Sequence, residues 1–146
     1  ARGNTNEWGV RLADTLSAIM DKDFSVIRRD YDRAVRTEHA GGQGAWGTGF
    51  AETNWMRLRA SFPSAVFEIH HQIGRDDPMM SPRAAVRWSL TGKHDGFGLF
   101  GAPTGAEVHG MGLTHAEFGP WGLRREFSLW DEVSIWKQIH LHTGSA

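Results

Sequence analysis

The residues best suited to chemistry in this sequence are histidines and one aspartate on predicted strands. Alternate side chains of a strand share a face, and we take the apolar face of each strand as the inward one. That face carries polar groups at His71, His94, His115 and Asp131. An inward carboxylate beside an inward imidazole could move a proton and stabilise developing oxyanion charge. The pattern therefore predicts Asp131 and His115 as a catalytic pair.

Both residues also have structural interpretations. Asp131 precedes the last predicted helix, where its carboxylate could cap the helix by accepting bonds from the amides of Val133 or Ser134. Capping is compatible with a second role at the mouth of an apolar pocket. His115 could equally be a packed histidine whose ring nitrogens are satisfied by hydrogen bonds.

The walls of the expected pocket come from the same parity argument. Trp88, Met111 and Phe127 share the inward face with the polar groups and would shape the cavity. His71 and His94 would line it as substrate-binding residues. An aromatic-lined cavity of this kind suits a small, flat, hydrophobic ligand.

The spacing of the glycines and histidines suggests two other kinds of site. The pattern G-x-G-x-x-G occurs at 42–47 and 96–101. The first match lies between a possible strand and a helix, but no acidic residue ends a second strand at the right distance and no βα repeats follow, while the second match is not followed by a helix. A metal site of two histidines and a carboxylate is conceivable from the inward set, although adjacent His70 and His71 cannot share a strand face. We predict no metal and no cofactor.

The elements that must position these residues change character along the chain. Apolar residues recur at helical spacing in the first part, and alternation takes over after Pro63. Helices followed by successive strands predict an α+β fold with a largely antiparallel, curled sheet. The predicted helices lie at about 5–20, 24–31, 50–62 and 132–140, and the predicted strands at about 34–38, 65–74, 83–94, 107–118 and 123–131, with a glycine-rich loop at 41–49.

Composition limits the function classes. The chain has 146 residues, no cysteine and a formal charge of −1, so thiol chemistry is absent and no basic excess favours nucleic acid. No stretch of about 18 apolar residues predicts a membrane span. The expectation is one domain over 1–146, cytoplasmic, with no nucleic-acid or membrane partner.

An ordered set of segments resembles the SnoaL-like polyketide cyclases and covers about 8–140. The segment Ala-Val-Arg-Trp-Ser-Leu-Thr-Gly-Lys-His at 85–94 is similar to one of their strands, and Gly-Ala-Pro-Thr-Gly at 101–105 to the loop after it. Arg-Glu-Phe-Ser-Leu-Trp-Asp at 125–131 resembles their final strand. The helix-to-strand junction at 58–69 and the terminal helix at 135–139 complete the set.

The resemblance implies a nuclear-transport-factor-2-like cone. In such a cone a curled sheet wraps helices around an apolar pocket, and the proteins are commonly homodimers. It also implies aldol cyclisation by acid–base chemistry without a metal or a covalent intermediate, with the family's catalytic aspartate falling on Asp131. The loops at 75–82 and 118–122 depart from the family pattern and flank the pocket mouth, so the resemblance does not carry the substrate over.

The leading hypothesis is acid–base catalysis, an aldol-type cyclisation or enolisation, on a small hydrophobic carbonyl compound. The alternative is a non-catalytic domain of the same fold that binds a small ligand or dimerises through its sheet. An exposed Asp131 beside a collapsed cavity would favour that alternative. Ketosteroid isomerisation or epoxide hydrolysis ranks lower, since epoxide opening needs several carboxylates and an arginine around one water, and one inward carboxylate is evident.

Overall fold

A computed structural model describes residues 7–39 and 43–144. Along that part of the chain the secondary-structure elements are α1 (Glu7–Met20), α2 (Ser25–Asp30), β1 (Tyr31–His39), β2 (Gln43–Trp46), α3 (Thr48–Ser61), β3 (Val66–Arg75), β4 (Arg83–Lys93), β5 (Glu107–Gly119), β6 (Gly122–Trp130) and α4 (Glu132–Thr143).

The strands form one sheet in the order β2-β1-β6-β5-β4-β3. β1 and β6 run parallel, and every other neighbouring pair is antiparallel. The α+β class and the largely antiparallel sheet predicted from the sequence are confirmed. Because β1 pairs with β6, the last strand in sequence order, residues from the first third of the chain lie beside residues near its end.

The helices bury the apolar stripes that the sequence predicts. Leu12, Leu16 and Ile19 of α1 are completely buried, and α1 packs on β3 and β4. Trp55 and Leu58 of α3 face the same core, and α3 packs on β1. These side chains fill the inner side of the sheet with apolar surface, the main favourable contribution to folding.

Two elements differ from the sequence prediction near the start of the sheet. β1 begins at Tyr31, where a helix was predicted to end, and is longer than the predicted 34–38. Gln43–Trp46 forms β2, an antiparallel partner of β1, within the stretch predicted to be a loop. Residues 40–42, which include the first glycine of the pattern at 42–47, lie outside the described residues.

The predicted inward face of β5 is wrong. Met111, Leu113 and His115 are exposed, and the smaller residues Gly110 and Gly112 face inward. The reason is the volume of the core, because a Cβ on Gly112 would lie within 2.2 Å of the Trp88 ring. The prediction placed the larger apolar residues of β5 in the core, but only the face that carries glycine leaves room for the Trp88 ring.

The predicted inward face of β6 is also wrong, because a bulge interrupts it. The register with β5 shifts between Glu117 and Phe118, and the two consecutive residues Arg124 and Arg125 are both exposed. Beyond them, Glu126 and Ser128 face the core. A bulge adds one residue to one strand and so reverses the faces that follow it.

Phe127, Leu129 and Asp131 are exposed as a result. A register shift between Ile69 and His71 does the same in β3, where His71 lies exposed. Each of these positions was predicted to be inward from uninterrupted alternation, which a single bulge defeats.

Candidate functional site

The most unusual group inside the molecule is the carboxylate of Glu126, which is 1% exposed. It lies on β6, where the bulge turns it toward the core. A buried carboxylate is costly unless hydrogen bonds replace its water. Four side chains from three elements donate to it, namely Tyr31 and His39 of β1, Trp55 of α3 and Ser128 of β6.

The two oxygens of Glu126 divide these donors. Oε1 accepts from the Tyr31 hydroxyl and from Trp55 Nε1 at 3.1 Å. Oε2 accepts from Ser128 Oγ and from His39 Nε2, each at 2.6 Å. Every lone-pair direction of an ionised carboxylate thereby has a donor.

A chain of hydrogen bonds across the neighbouring strands β4, β5 and β6 leads to the same carboxylate. The indole Nε1–H of Trp88 donates to Thr114 Oγ1 at 3.0 Å, and Thr114 lies 3.0 Å from Ser128 Oγ. An indole can only donate, so the Thr114 hydroxyl proton is free to point at Ser128. Ser128 in turn donates to Glu126, and the chain ends on its charge.

The environment keeps Glu126 ionised. Burial by itself raises the pKa of Glu126. The positive charge that His39 carries when protonated and the hydrogen bonds from His39, Ser128 and Tyr31 lower it by more, so that the net pKa lies below the usual carboxyl range. Burial, together with the neighbouring Glu126 charge, raises the pKa of Tyr31 well above the usual value for a phenol. Tyr31 therefore stays a donor.

His39 is held by its Nε2 and has its other nitrogen available. The ring is 2% exposed and meets Phe50, Trp55 and Trp130 edge-on, with centroids 5.0 to 6.1 Å away. Because ionised Glu126 can only accept, Nε2 carries the proton, and Nδ1 of a neutral ring holds a lone pair. Nδ1 has no hydrogen-bond partner among the described residues. The arrangement can orient an imidazole for proton transfer.

One apolar cavity beside two of the indoles is small. A cavity of about 10 Å³ adjoins Trp88 and Trp130, room for about one water molecule. Its walls are otherwise apolar or backbone, formed by Leu58, Phe62, Leu90, Val108, Gly110 and Ile135. The side chains of the core fill most of the interior in which the sequence predicts a pocket.

The structure does not bring Asp131 and His115 together as an interior pair. Asp131 caps α4, its side chain accepting from the Ser134 amide at 2.9 Å, as the structural interpretation predicted. His115 pairs across the strands with Phe127, four residues before Asp131. Four residues of strand span roughly 13 Å, at about 3.3 Å per residue. Both side chains lie on the exposed face, so their predicted inward placement is wrong and their catalytic roles stay predictions.

Of the other predicted site residues, three are exposed and two are buried. Met111, Phe127 and His71 lie on the outside, contrary to the prediction. Trp88 and His94 are fully buried, as predicted. His94 lies apart from the Glu126 network, bonded through Nδ1 to Thr104 Oγ1 at 2.9 Å and packed on Phe62 and Phe100.

Sequence reasoning missed His39, Tyr31 and Glu126 as site residues. Uninterrupted alternation places Glu126 on the outer face together with Arg124, and nothing local marks a bulge between them. His39 and Glu126 are 87 positions apart and meet only because β1 runs parallel beside β6. No local signal marks Glu126 as buried, because polar residues at alternate positions are typical of an outward strand face.

Solved structures with the same architecture are numerous. A candidate SnoaL-like polyketide cyclase from Jannaschia sp. CCS1 has a TM-score of 0.73 at 17% identity, over 92% of this chain and 94% of that one. The chain has the SnoaL-like fold. A SnoaL-like polyketide cyclase from Agrobacterium tumefaciens C58 has a TM-score of 0.63 at 22% identity, over 88% of this chain and 94% of that one.

Proteins with the SnoaL-like fold do not all carry the same name. A candidate hydroxylase from Streptomyces galilaeus has a TM-score of 0.75 at 15% identity, over 92% of this chain and 82% of that one. No protein-family model and no curated protein sequence matches this chain. The shared fold and the site must therefore be weighed separately.

Two properties of the described residues concern possible partners. Within 7–39 and 43–144, no group of three or more His, Cys, Asp or Glu side chains is arranged to hold a metal ion. No helix in the same ranges is long and apolar enough to cross a membrane.

Proposed function

We propose that this chain catalyses proton transfer on a small hydrophobic carbonyl compound, an enolisation or the first step of an aldol-type cyclisation. The observation that carries the proposal is the bond between Glu126 Oε2 and His39 Nε2, 2.6 Å long and fully buried, which leaves His39 Nδ1 without a partner among the described residues. A carboxylate that holds an imidazole by one nitrogen prepares the other to act as a base.

The step begins with His39 neutral. Its Nδ1 takes the proton α to the substrate carbonyl, the C–H pair forms the C=C bond of an enolate, and the C=O π pair moves to oxygen. The imidazolium that forms is stabilised by ionised Glu126. The enolate then attacks a second carbonyl carbon or takes the proton back at another position.

The other donors to Glu126 act as positioning residues. Tyr31, Trp55 and Ser128 hold the carboxylate in one place and keep it ionised. Since they satisfy the remaining lone pairs, Glu126 has little capacity to accept a substrate proton itself. The proposal therefore assigns the proton to His39 and the orienting charge to Glu126.

The test measures hydrogen exchange into deuterium oxide at the α-carbon of β-tetralone, an enolisable aromatic ketone, by proton NMR. We expect wild type to accelerate exchange above buffer, and His39→Gln to reduce the rate by about 10²-fold or more, the usual contribution of a positioned base. His142→Gln, an exposed histidine at the end of α4, is the matched control. Equal rates in His39→Gln and wild type would contradict the proposal. Loss of exchange in Asp131→Asn with full exchange in His39→Gln would return the role to Asp131.

A second function, self-association, is favoured by the outer face of the sheet. Met111, Leu113, Phe127 and Leu129 of the central strands are each 38–44% exposed. Arg87 and Arg125 together with Glu117 and Asp131 surround them on the same face, and pairing across the strands follows the register of β4, β5 and β6. A face that carries an apolar centre and both signs of charge is complementary to itself.

We propose a second copy of this chain as the partner of that face. Sedimentation of wild type should show a dimer at micromolar concentration, and the double change Leu113→Glu with Leu129→Glu should give monomers that keep their far-ultraviolet circular dichroism. Trp121→Glu, at the exposed β5–β6 turn, is the control and should remain dimeric. A monomeric wild type would overturn this assignment without affecting the proton-transfer proposal.

A further inference from the structure

Three indoles form a cluster beside the Glu126 network. Trp55, Trp88 and Trp130 pack with ring centroids 6.0 to 6.3 Å apart. Trp55 donates its N–H to Glu126 at 3.1 Å, and Trp88 donates to Thr114 at 3.0 Å. The Nε1–H of Trp130 is buried and has no acceptor among the described residues. Buried donors are nearly always paired, so this one needs an explanation.

The Trp130 ring lies next to the His39 ring, whose Nδ1 also has no partner among the described residues. The rings of His39 and Trp130 meet edge-on, with centroids 5.4 Å apart and planes at 77°. Trp130 is 7% exposed and His39 is 2% exposed, so that neither nitrogen finds water readily. One ring therefore presents a donor and the other an acceptor in the same interior region. A ligand that carries an acceptor oxygen and an acidic proton on neighbouring atoms would satisfy both.

We infer that Trp130 Nε1–H is the hydrogen-bond donor for the substrate's carbonyl oxygen. This inference rests on the proposed function and deepens it. As His39 Nδ1 takes the α-proton and the π pair moves to oxygen, the N–H of Trp130 bonds to the oxygen that gains charge. A donor already in place and shielded from water stabilises such charge strongly.

The surroundings of Trp130 define the class of ligand. The walls of the adjoining cavity carry no charged side chain, and Phe62, Trp88 and Leu90 supply flat or apolar surface. A charged ligand would lose its water there without gaining an opposite charge. The ligand is therefore an uncharged carbonyl compound, with the indole N–H as the donor for its oxygen.

Entry of such a ligand requires the cavity to open, because its present volume of about 10 Å³ holds only one water. Seven of its eight lining residues lie on the sheet or on α3 and its end, and Ile135 alone belongs to α4. α4 packs on β5 and is tied to it by Gln138, which accepts from and donates to the His109 backbone. In this proposal α4 moves outward with Ile135, which removes one wall of the cavity.

The test compares two probes that differ by one oxygen. β-Naphthol mimics the enol of β-tetralone, and naphthalene has the same rings without the hydroxyl. Trp130→Phe should weaken β-naphthol binding by about tenfold, the loss of one hydrogen bond, and leave naphthalene binding within about twofold. It should also slow β-tetralone exchange while the pH dependence of the rate keeps its midpoint. Trp121→Phe is the control, since Trp121 is exposed at the β5–β6 turn and does not line the cavity, and it should keep the wild-type preference for β-naphthol.

The outcomes separate this inference from the function on which it rests. If Trp130→Phe keeps the preference for β-naphthol while His39→Gln loses exchange, the donor role is wrong and the proton-transfer proposal stands. If His39→Gln keeps full exchange while Trp130→Phe loses the preference, the oxygen-binding role stands without the proposed base. Should Trp130→Phe fail to fold, the wild-type indole N–H signal of Trp130 decides, because β-naphthol and not naphthalene should move it downfield. An unmoved signal overturns the inference.

Discussion

His39 Nε2 and Glu126 Oε2 lie 2.6 Å apart inside the molecule, although 87 positions separate them in the chain. The parallel pairing of β1 with β6 brings them together, and the bulge in β6 turns the carboxylate inward. The side chains of this pair are 1% and 0% exposed, and so their bond is not weakened by competing water as a surface ion pair is. Folding and the proposed chemistry both depend on it.

Replacing Glu126 by glutamine should lower the free energy of unfolding by about 3 kcal/mol. The amide has the same shape, but its NH2 group would meet donors that need an acceptor. Urea unfolding followed by circular dichroism measures the change. Glu117→Gln is the control, since its pair with Arg124 is partly exposed and should cost less than about 1 kcal/mol. Equal losses in the two variants would show that burial does not set the strength of the His39–Glu126 bond.

Acid should destabilise the protein through the same carboxylate. The folded pKa of Glu126 is lowered, so its stabilising contribution is complete above the ordinary carboxyl pKa of about 4.3 and is lost as the pH falls through the folded pKa. Urea unfolding measured from pH 6 to about two units below the ordinary carboxyl pKa should therefore show a steeper loss of stability in wild type than in Glu126→Gln. Parallel curves for the two proteins would contradict the lowered pKa.

His94 should give a second pH dependence at a higher pH. Burial lowers the pKa of His94, partly offset by the Gly101 backbone and by Asp95. The unfolded state then binds the proton more readily, so that stability is complete above about pH 6.5 and falls as the pH drops below it. His94→Gln should be less stable at neutral pH and should lose the slope between about pH 6.5 and the lowered folded value. A wild-type slope that survives in this variant would assign it to another group.

Gly112→Ala should destabilise the fold, although it adds only one methyl group. The new methyl group would lie 2.2 to 2.4 Å from the Trp88 ring, which is held on its other side by the core. Overpacking of this kind costs about 1–3 kcal/mol. Gly49→Ala is the matched control, because its Cβ meets nothing within 4 Å and α3 should gain about 0.5–1 kcal/mol. Thermal unfolding of the two variants should shift in opposite directions.

Ile135→Ala should enlarge the cavity beside Trp130. Removing a buried isoleucine side chain costs about 2–5 kcal/mol, and the space should let β-naphthol bind more tightly than to wild type. Ile139→Ala tests the position, since Ile139 is equally buried on α4 but does not line the cavity. It should lose stability without gaining affinity. A gain in both variants would indicate a general loosening of α4 instead of a specific opening.

Local patterns were sufficient for much of the architecture. The strands predicted at 65–74, 83–94, 107–118 and 123–131 match β3 to β6 within about a residue, because alternation bounded by glycine and proline is a local signal. The faces of α1 and α3, with Leu12 and Trp55 buried, follow from helical spacing in the same way. The cap of α4 was also predictable from local sequence, because the Asp131 carboxylate bonds the amide of Ser134, only three residues further along the chain.

Local patterns could not predict which faces of β5 and β6 point inward, or which residues form the buried site. Whether Met111 or Gly112 faces the core depends on the space that Trp88 occupies, and Glu126 turns inward only because β6 bulges between paired neighbours. His39 and Glu126 meet through a strand pairing across most of the chain. A period of two residues carries no information about the absolute face, which is decided by the volume and the hydrogen bonds that other parts of the chain bring to the core.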